Sequence, residues 1–356
     1  MLEGIDGSHE LEGTITASAQ TLLREHRLFE SIEMYRKGNR RWQSGMLLFR
    51  LGDHLLRSRL QPQPKSTAPM PFDLAFCAQL KKVYILAACE IHRVQNKALH
   101  AVTKAQQALA QDPWRKARAF HYFLRACRAV ASSFALSSSS SSSSRARTRK
   151  EGTRHDQNDT LSDMTALHCA LIASRDDQIV PYQAVYAVLA IAALRTRHLA
   201  TCSQAFTKLQ AAQHREGQPA SPFAFEHELL QFSPLHMTAM QIFVDRAPLV
   251  DPAVPTIRCQ SCGSSTSELI LLARPTGDCP ICAKPMPLCL LSGRPLHTAT
   301  HPFVCPTCQH GTLTAILNQA NHARQLGGPH APQHPSPSSM APTICPLCLF
   351  HADQPS

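Results

Sequence analysis

The chain has 356 residues, 44% of them hydrophobic and 17% charged, with a formal net charge of +11. That length admits two or three domains with packed cores, but 26 prolines and a long serine run exclude a core along the whole chain. The positive excess suits an acidic partner, unless it is diluted over unfolded segments.

Glu3 and Asp6 interrupt any apolar start, so no secretory signal is read at the N-terminus. The longest apolar stretch, Ile179 to Leu194, is broken by Pro181 and Gln183. A spanning helix needs about 20 apolar residues, so this stretch predicts a buried helix and no transmembrane segment. The fourteen cysteines are therefore expected in a reducing compartment, where metal binding is favoured over a disulfide framework.

In chain order, residues 1–14 read as a polar leader. Three- and four-residue apolar steps from about Ile15 to Gln61 predict helices punctuated by Gly38 and Gly52. Gln61 to Pro69 reads as a linker. Phe72 to Leu109 predicts two long helices with a turn near Gln95-Asn96, and a further helix runs from Pro113 to Leu136. The eight serines of Ser137–Ser144 lead into Arg145-Ala-Arg-Thr-Arg-Lys-Glu-Gly, so 137–160 is expected as a solvated, disordered linker. Helical spacing resumes at Leu161–Ser174, Gln178–Arg195 and His198–Gln213, with short helices at Phe223–Gln231 and Leu235–Phe243.

The fold class that follows is mainly α. It is an α-solenoid of tetratricopeptide-like helix pairs, with a first part over 15–136 and a second over 161–250. Pro252 and Pro255 then mark a boundary. Beyond them, 251–356 is expected to form a small zinc-ribbon-type module with a Pro-rich insertion at 327–342.

That module carries four Cys-x-x-Cys pairs: Cys259/Cys262, Cys279/Cys282, Cys305/Cys308 and Cys345/Cys348. Two intervening residues let a tight turn aim both sulfurs at one ion about 2.3 Å away. Pro280, Pro306 and Pro346 preset φ for such turns, and Gly263 can take positive φ at the exit. Eight thiolates make two closed tetrahedral sites, so two structural Zn²⁺ ions are predicted, with folding and metal binding as one event. Sequential pairing would make two ribbons. A cross-brace would instead join 279/282 to 305/308 and leave 345/348 to draw on Cys289 and His297. The ribbons are preferred because they use all eight paired thiolates. His297, His301 and His310 then read as bystanders, and Cys77, Cys89, Cys127, Cys169 and Cys202 as small buried apolar residues.

No phosphate loop, nucleophile elbow or His-Glu-x-x-His motif is present. His168 and Cys169 are adjacent, but adjacency does not give a catalytic pair its geometry. Cys89, Glu90 and His92 share one helical turn and form no recognisable site. Nucleic acid is not expected as a partner. From Cys259 onward the only basic residues are Arg274, Lys284, Arg294 and Arg324, against Glu268, Asp278 and Asp353, too few to neutralise several phosphates.

The run Cys279-Pro-Ile-Cys-Ala-Lys-Pro-Met-Pro-Leu-Cys289-Leu-Leu-Ser-Gly-Arg294, with Phe303-Val-Cys-Pro-Thr-Cys308 and Ile344-Cys-Pro-Leu-Cys348, resembles the C-terminal end of the intraflagellar transport protein 144 (WD-repeat protein 19) family. The lone Cys289 and Ser292-Gly-Arg make the likeness more specific than paired cysteines do. Ile179-Val-Pro with its apolar helix is similar to part of that family's tetratricopeptide region. The family's WD-repeat propellers have no counterpart in this chain, and Pro295 stands where the family tends to have histidine.

The resemblance implies a non-enzymatic scaffold subunit of the intraflagellar transport A complex. Such a subunit would bind its sister subunits through the solenoid and act in retrograde ciliary transport and ciliary membrane-protein trafficking. Its location would be the cilium or flagellum, basal body and cytoplasm. The alternatives are a RING-like zinc ubiquitin ligase, which requires cross-braced knuckles, and a coat-type vesicle trafficking subunit.

Overall fold

The computed structural model describes residues 6–60, 74–97, 103–139, 152–180, 182–216, 245, 251–252, 255–273, 278–284, 286–296, 302–306, 308, 310–318 and 344–348. The helices are α1 (Asp6–Arg24), α2 (Leu28–Lys37), α3 (Arg41–Leu60), α4 (Leu74–Lys97), α5 (Lys104–Ser139), α6 (Gly152–Ser174), α7 (Tyr182–Arg195) and α8 (Leu199–Glu216). Among the described residues no helix is long and apolar enough to cross a membrane. The chain divides into two compact units, Met1–Met70 with Ala75–Arg118, and Pro71–Leu74 with Ala119–Ser356.

In the first unit, α1, α2 and α3 follow one another through joints of one geometry. His26 and Asn39 take left-handed φ values of 61° and 55°. The next N–H then reaches back into the helix just ended, Arg27 to the Leu22 carbonyl and Arg40 to the Tyr35 carbonyl, both at 2.8 Å. Carbonyls orphaned at a helix end are satisfied in this way. The second unit uses the same joint between α7 and α8, where Arg197 has φ 60° and the His198 N–H reaches the Ala193 carbonyl at 2.7 Å. Two of the three joints share a short sequence trace, Leu23-Arg-Glu-His-Arg-Leu28 and Leu194-Arg-Thr-Arg-His-Leu199.

The core of the first unit holds Leu80, Tyr84 and Ile91 of α4, all fully buried. Gly52 is continuous with α3 and does not punctuate it: a Cβ there would lie 2.7 Å from Cε1 of Tyr84, so the glycine permits close approach. The Tyr84 hydroxyl donates to Asp53 at 2.9 Å, and Lys116 closes the group with an ion pair to Asp53 at 2.5 Å. Glu90 is buried between Arg36 Nε at 3.1 Å and Arg41 Nη1 at 3.0 Å, tying α2, α3 and α4 together.

In the second unit, α7 is buried on every side from Ala184 to Ala193, packed between α6 and α8. Such a helix has no polar face to show a period. Asp251 caps α8 from a distance in sequence. Its carboxylate accepts from the Ala200 N–H at 2.8 Å and from the Thr201 hydroxyl at 2.8 Å.

Several boundaries differ from those read in the sequence. Helix α1 starts within the expected polar leader. Helix α5 starts at Lys104 and runs through Pro113, whereas a helix was expected to begin at Pro113. An interior proline gives up only one i to i−4 hydrogen bond, which the rest of a long helix tolerates. The expected linker is helical at its two ends, to Ser139 and from Gly152. Its middle, 140–151, lies outside the described residues, as do the helices expected at Phe223–Gln231 and Leu235–Phe243 and the insertion at 327–342.

After Asp251 the chain forms two antiparallel hairpins. Strand β1 (Thr256–Arg258) pairs with β2 (Ser265–Ser267) in the register Ile257 opposite Thr266, and a short helix α9 (Glu268–Ala273) follows. Strand β3 (Pro302–Val304) pairs with β4 (Gly311–Leu313), Phe303 opposite Thr312. A small apolar cluster of Cys289, Leu291, Leu296 and Leu317 lies beside the second hairpin, with Phe303, Leu313 and Ile316 against it.

Candidate metal centre

Each hairpin makes its turn on a cysteine pair. Between β1 and β2, the Cys259 N–H donates to the Ser264 carbonyl and the Gly263 N–H to the Cys259 carbonyl, both at 2.8 Å. Gly263 takes φ 71°, which lets the chain leave the turn without a Cβ clash. The segment 278–284 repeats the design, with the Cys279 N–H on the Lys284 carbonyl and the Ala283 N–H on the Cys279 carbonyl, both at 2.9 Å. Ala283 occupies the left-handed position at φ 53°. Between β3 and β4 the Cys305 N–H reaches the His310 carbonyl at 3.1 Å.

These turns bring the eight paired cysteines into two groups, Cys259 with Cys262, Cys279 and Cys282, and Cys305 with Cys308, Cys345 and Cys348. Within each group all sulfurs lie within 4.8 Å of one another. In the first, Cys259 and Cys282 sulfurs are 3.6 Å apart and those of Cys262 and Cys279 3.7 Å. In the second, Cys305 and Cys348 are 3.5 Å apart, and Cys308 and Cys345 3.6 Å. A tetrahedral ion with 2.3 Å bonds sets its sulfurs about 3.8 Å apart, so either group can close on one metal ion with small adjustment. The grouping is sequential, pair by pair. The interleaved order that a cross-brace needs is not what these turns produce.

The two groups differ in their surroundings. In the first, Cys262 is exposed and Cys282 half-buried. In the second, Cys305, Cys308 and Cys345 are buried and Cys348 half-buried. The Ser264 hydroxyl lies 2.9 Å from the Cys262 sulfur and 3.5 Å from that of Cys279. That contact, helped by the Cys282 N–H, lowers the Cys279 thiol to about 6, and Ser264 lowers Cys262 as well. In the second group the sulfurs act on one another: hydrogen bonds from Cys308, Cys345 and Cys348 hold Cys305 down, while Cys308 is pushed up. Ser264 was missed in the sequence. Its only signal there was a hydroxyl two residues after a Cys-x-x-Cys pair.

Cys289 belongs to neither group. It is fully buried, and its sulfur accepts the Leu313 N–H at 3.4 Å. His297 and His301 lie outside the described residues. Cys77, Cys127, Cys169 and Cys202 are buried and Cys89 half-buried. Burial pushes the Cys169 thiol up to about 12, the opposite of what a nucleophile needs, and it lowers the pKa of the neighbouring His168. Glu90, beside Cys89, is engaged by Arg36 and Arg41.

Residues 155–224, which include α7, α8 and most of α6, match the family model described as IFT121-like, TPR repeats. The chain is also similar to WD repeat-containing protein 35 of Rattus norvegicus, 22% identical over 336 residues that cover 88% of this chain and 22% of that protein. WD repeat-containing protein 35 of Homo sapiens is 22% identical over 332 residues, 87% of this chain and 22% of that protein. The chain thus spans less than a quarter of the length of these relatives. Both likenesses are to the 121-like kind of intraflagellar transport protein, not to the 144 family that the cysteine motifs resemble.

Proposed function

We propose that the chain acts as a non-enzymatic scaffold of the intraflagellar transport A type, with stacked helices as its binding surface and a cysteine module held by two structural zinc ions. The observation that carries this reading is the match of α6–α8 to IFT121-like tetratricopeptide repeats, in a chain similar over most of its length to WD repeat-containing protein 35. Helix pairs that contact mainly their neighbours leave long faces open to other solenoids. The partners would be sister transport subunits, and the setting the cilium, basal body and cytoplasm, in retrograde transport and ciliary membrane-protein traffic. Between sister subunits, the repeat match favours the 121-like member and the cysteine spacing resembles the 144 family; related ends in these subunits would reconcile the two.

Zinc suits both cysteine groups, because four soft thiolates at tetrahedral spacing leave no open position for water or substrate. The role is therefore to hold the turns. The near-neutral charge of the module supports a protein partner over nucleic acid, and sequential pairing of the cysteines weighs against a RING-like ligase.

Tagged full-length chain purified from ciliated cells is expected to co-enrich transport A subunits, and recovery of none of them would overturn the assignment. Metal analysis of the purified chain is expected to give two zinc ions per molecule.

A further inference from the structure

Three turns of the cysteine module share one backbone. In Cys289–Arg294, as in Cys259–Ser264 and Cys279–Lys284, the first residue's N–H bonds the sixth residue's carbonyl, here at 2.7 Å. The fifth residue's N–H returns to the first carbonyl, here at 2.8 Å. Gly293 takes φ 70°, like Gly263 at 71° and Ala283 at 53°. Leu288 and Pro295 bridge the mouth of the turn as a strand pair would. The fourth residue is Cys262 in one turn and Cys282 in another, but it is Ser292 here. Cys289 therefore lacks the second sulfur of a pair, and its own sulfur is occupied by apolar neighbours and the Leu313 N–H.

What this turn offers instead is its carbonyl crest. Three consecutive carbonyls are each met by a side chain from one stretch of α5. Tyr122 donates its hydroxyl to Cys289 at 3.3 Å, His121 Nε2 lies 2.8 Å from the Leu290 oxygen, and Arg125 Nη2 donates to Leu291 at 2.8 Å. The other flank lies on α6: a Cβ at Gly293 would come within 3.0 Å of Ile172 Cδ1 and 3.1 Å of His168 Cβ. The same turn touches the second hairpin and the start of α9, the helix that follows the first hairpin. Arg294 Nε reaches the buried Glu268 at 3.2 Å, the first residue of α9 directly after β2, and the Leu290 N–H donates to the Gly311 carbonyl of β4 at 3.2 Å.

We propose that Cys289–Arg294 is a cysteine knuckle that binds no metal and serves as the docking element for the α5–α6 surface. Because the second cysteine hairpin and the helix that follows the first are both bonded to it, metal occupancy of the two groups governs that docking. In the Cys279 turn the Ile281 and Cys282 N–H groups face the first sulfur; in the Cys289 turn the same backbone shape instead presents its carbonyls to a helix. The α5 residues at positions i, i+1 and i+4 supply the donors, and glycine supplies the clearance. The dependence on occupancy rests on the zinc reading above; the docking itself does not.

The test uses the full chain, with zinc content and amide hydrogen exchange as readouts and α2–α3 as the internal reference. Cys289→Ala is expected to keep the zinc content of the unchanged protein; loss of an ion would overturn the metal-free assignment. Gly293→Val is expected to speed exchange in 119–130 and 166–173 at least tenfold without changing zinc content, and Arg125→Met severalfold. Unchanged exchange in both variants would overturn the docking role, and Arg125→Met keeps the test open should Gly293→Val fail to fold. Chelation with EDTA is expected to speed exchange in the same two segments and to leave α2–α3 unaffected; no response from a zinc-loaded chain would overturn the coupling. A chain purified without zinc would instead defeat the zinc reading, while the two substitution arms still decide the docking.

Discussion

The two cysteine groups are built from the same Cys-x-x-Cys turn, yet they are embedded differently. The second lies beside the Cys289 cluster, with three of its four cysteines buried. The first sits at the end of a two-stranded hairpin with Cys262 exposed, and it relies on the Ser264 hydroxyl where the second relies on its own sulfurs. Equal ligand sets thus need not mean equal roles. A buried site contributes its binding free energy to the folding of everything packed on it, whereas an exposed one is open to proton, chelator and oxidant.

The largest expected effect comes from breaking the buried group. Cys305→Ser should release one metal ion and cost on the order of 4 kcal/mol or more, as loss of a structural metal does, seen as a lower urea midpoint alongside metal analysis. Cys262→Ser should cost less, about 2 kcal/mol, and its effect should stay within residues 255–284, as hydrogen exchange would report. If the two substitutions cost the same, burial is not what separates the groups.

Milder changes sharpen the contrast. Ser264→Ala removes a hydrogen bond to two sulfurs and should weaken metal binding at the first group about tenfold, leaving the second unchanged in a chelator competition. Because Ser264 holds Cys262 and Cys279 below their ordinary thiol range, the variant should also need a higher pH to load.

The smallest effect concerns the turn without a metal. Burial holds the pKa of His168 below its ordinary value. The unfolded chain therefore binds a proton at this residue before the folded chain does, and stability falls as pH drops below about 6.5, by at most about 1.4 kcal/mol per pH unit. His168→Gln should flatten that loss in urea unfolding compared at pH 7.5 and 5.5.

Much of the helical part could be read from the chain. The apolar steps that predict Gln178–Arg195 and His198–Gln213 correspond to α7 and α8. Less legible was Pro113, which suits a helix start because it lacks the N–H, yet lies inside α5, where it gives up one i to i−4 hydrogen bond. Gly52 carried no sign of the ring it lies under, because Tyr84 is on another helix. The second half of α1 is legible as helix from Ile15 on, but its start at Asp6 lies in the expected polar leader. Its anchor is a contact to α2, where the buried Ser31 hydroxyl donates to the Ala19 carbonyl at 2.8 Å.

In the cysteine module the same line separates near from far. A Cys-x-x-Cys turn is closed by hydrogen bonds spanning four or five residues, so the sequence alone determines that two sulfurs point together, as it determines the helices through their 3.6-residue repeat. It also contained the odd turn, in the form of Cys289 followed by Ser292-Gly-Arg. Which pairs converge depends on segments 17 to 43 residues apart, and the Asp251 cap on α8 spans 50 or more. Contacts at such distances are made by packing, which no local pattern encodes. Only the tertiary structure therefore decided that the pairs group sequentially, that Cys289 stands outside both groups, and that the turn it opens lies against α5 and α6.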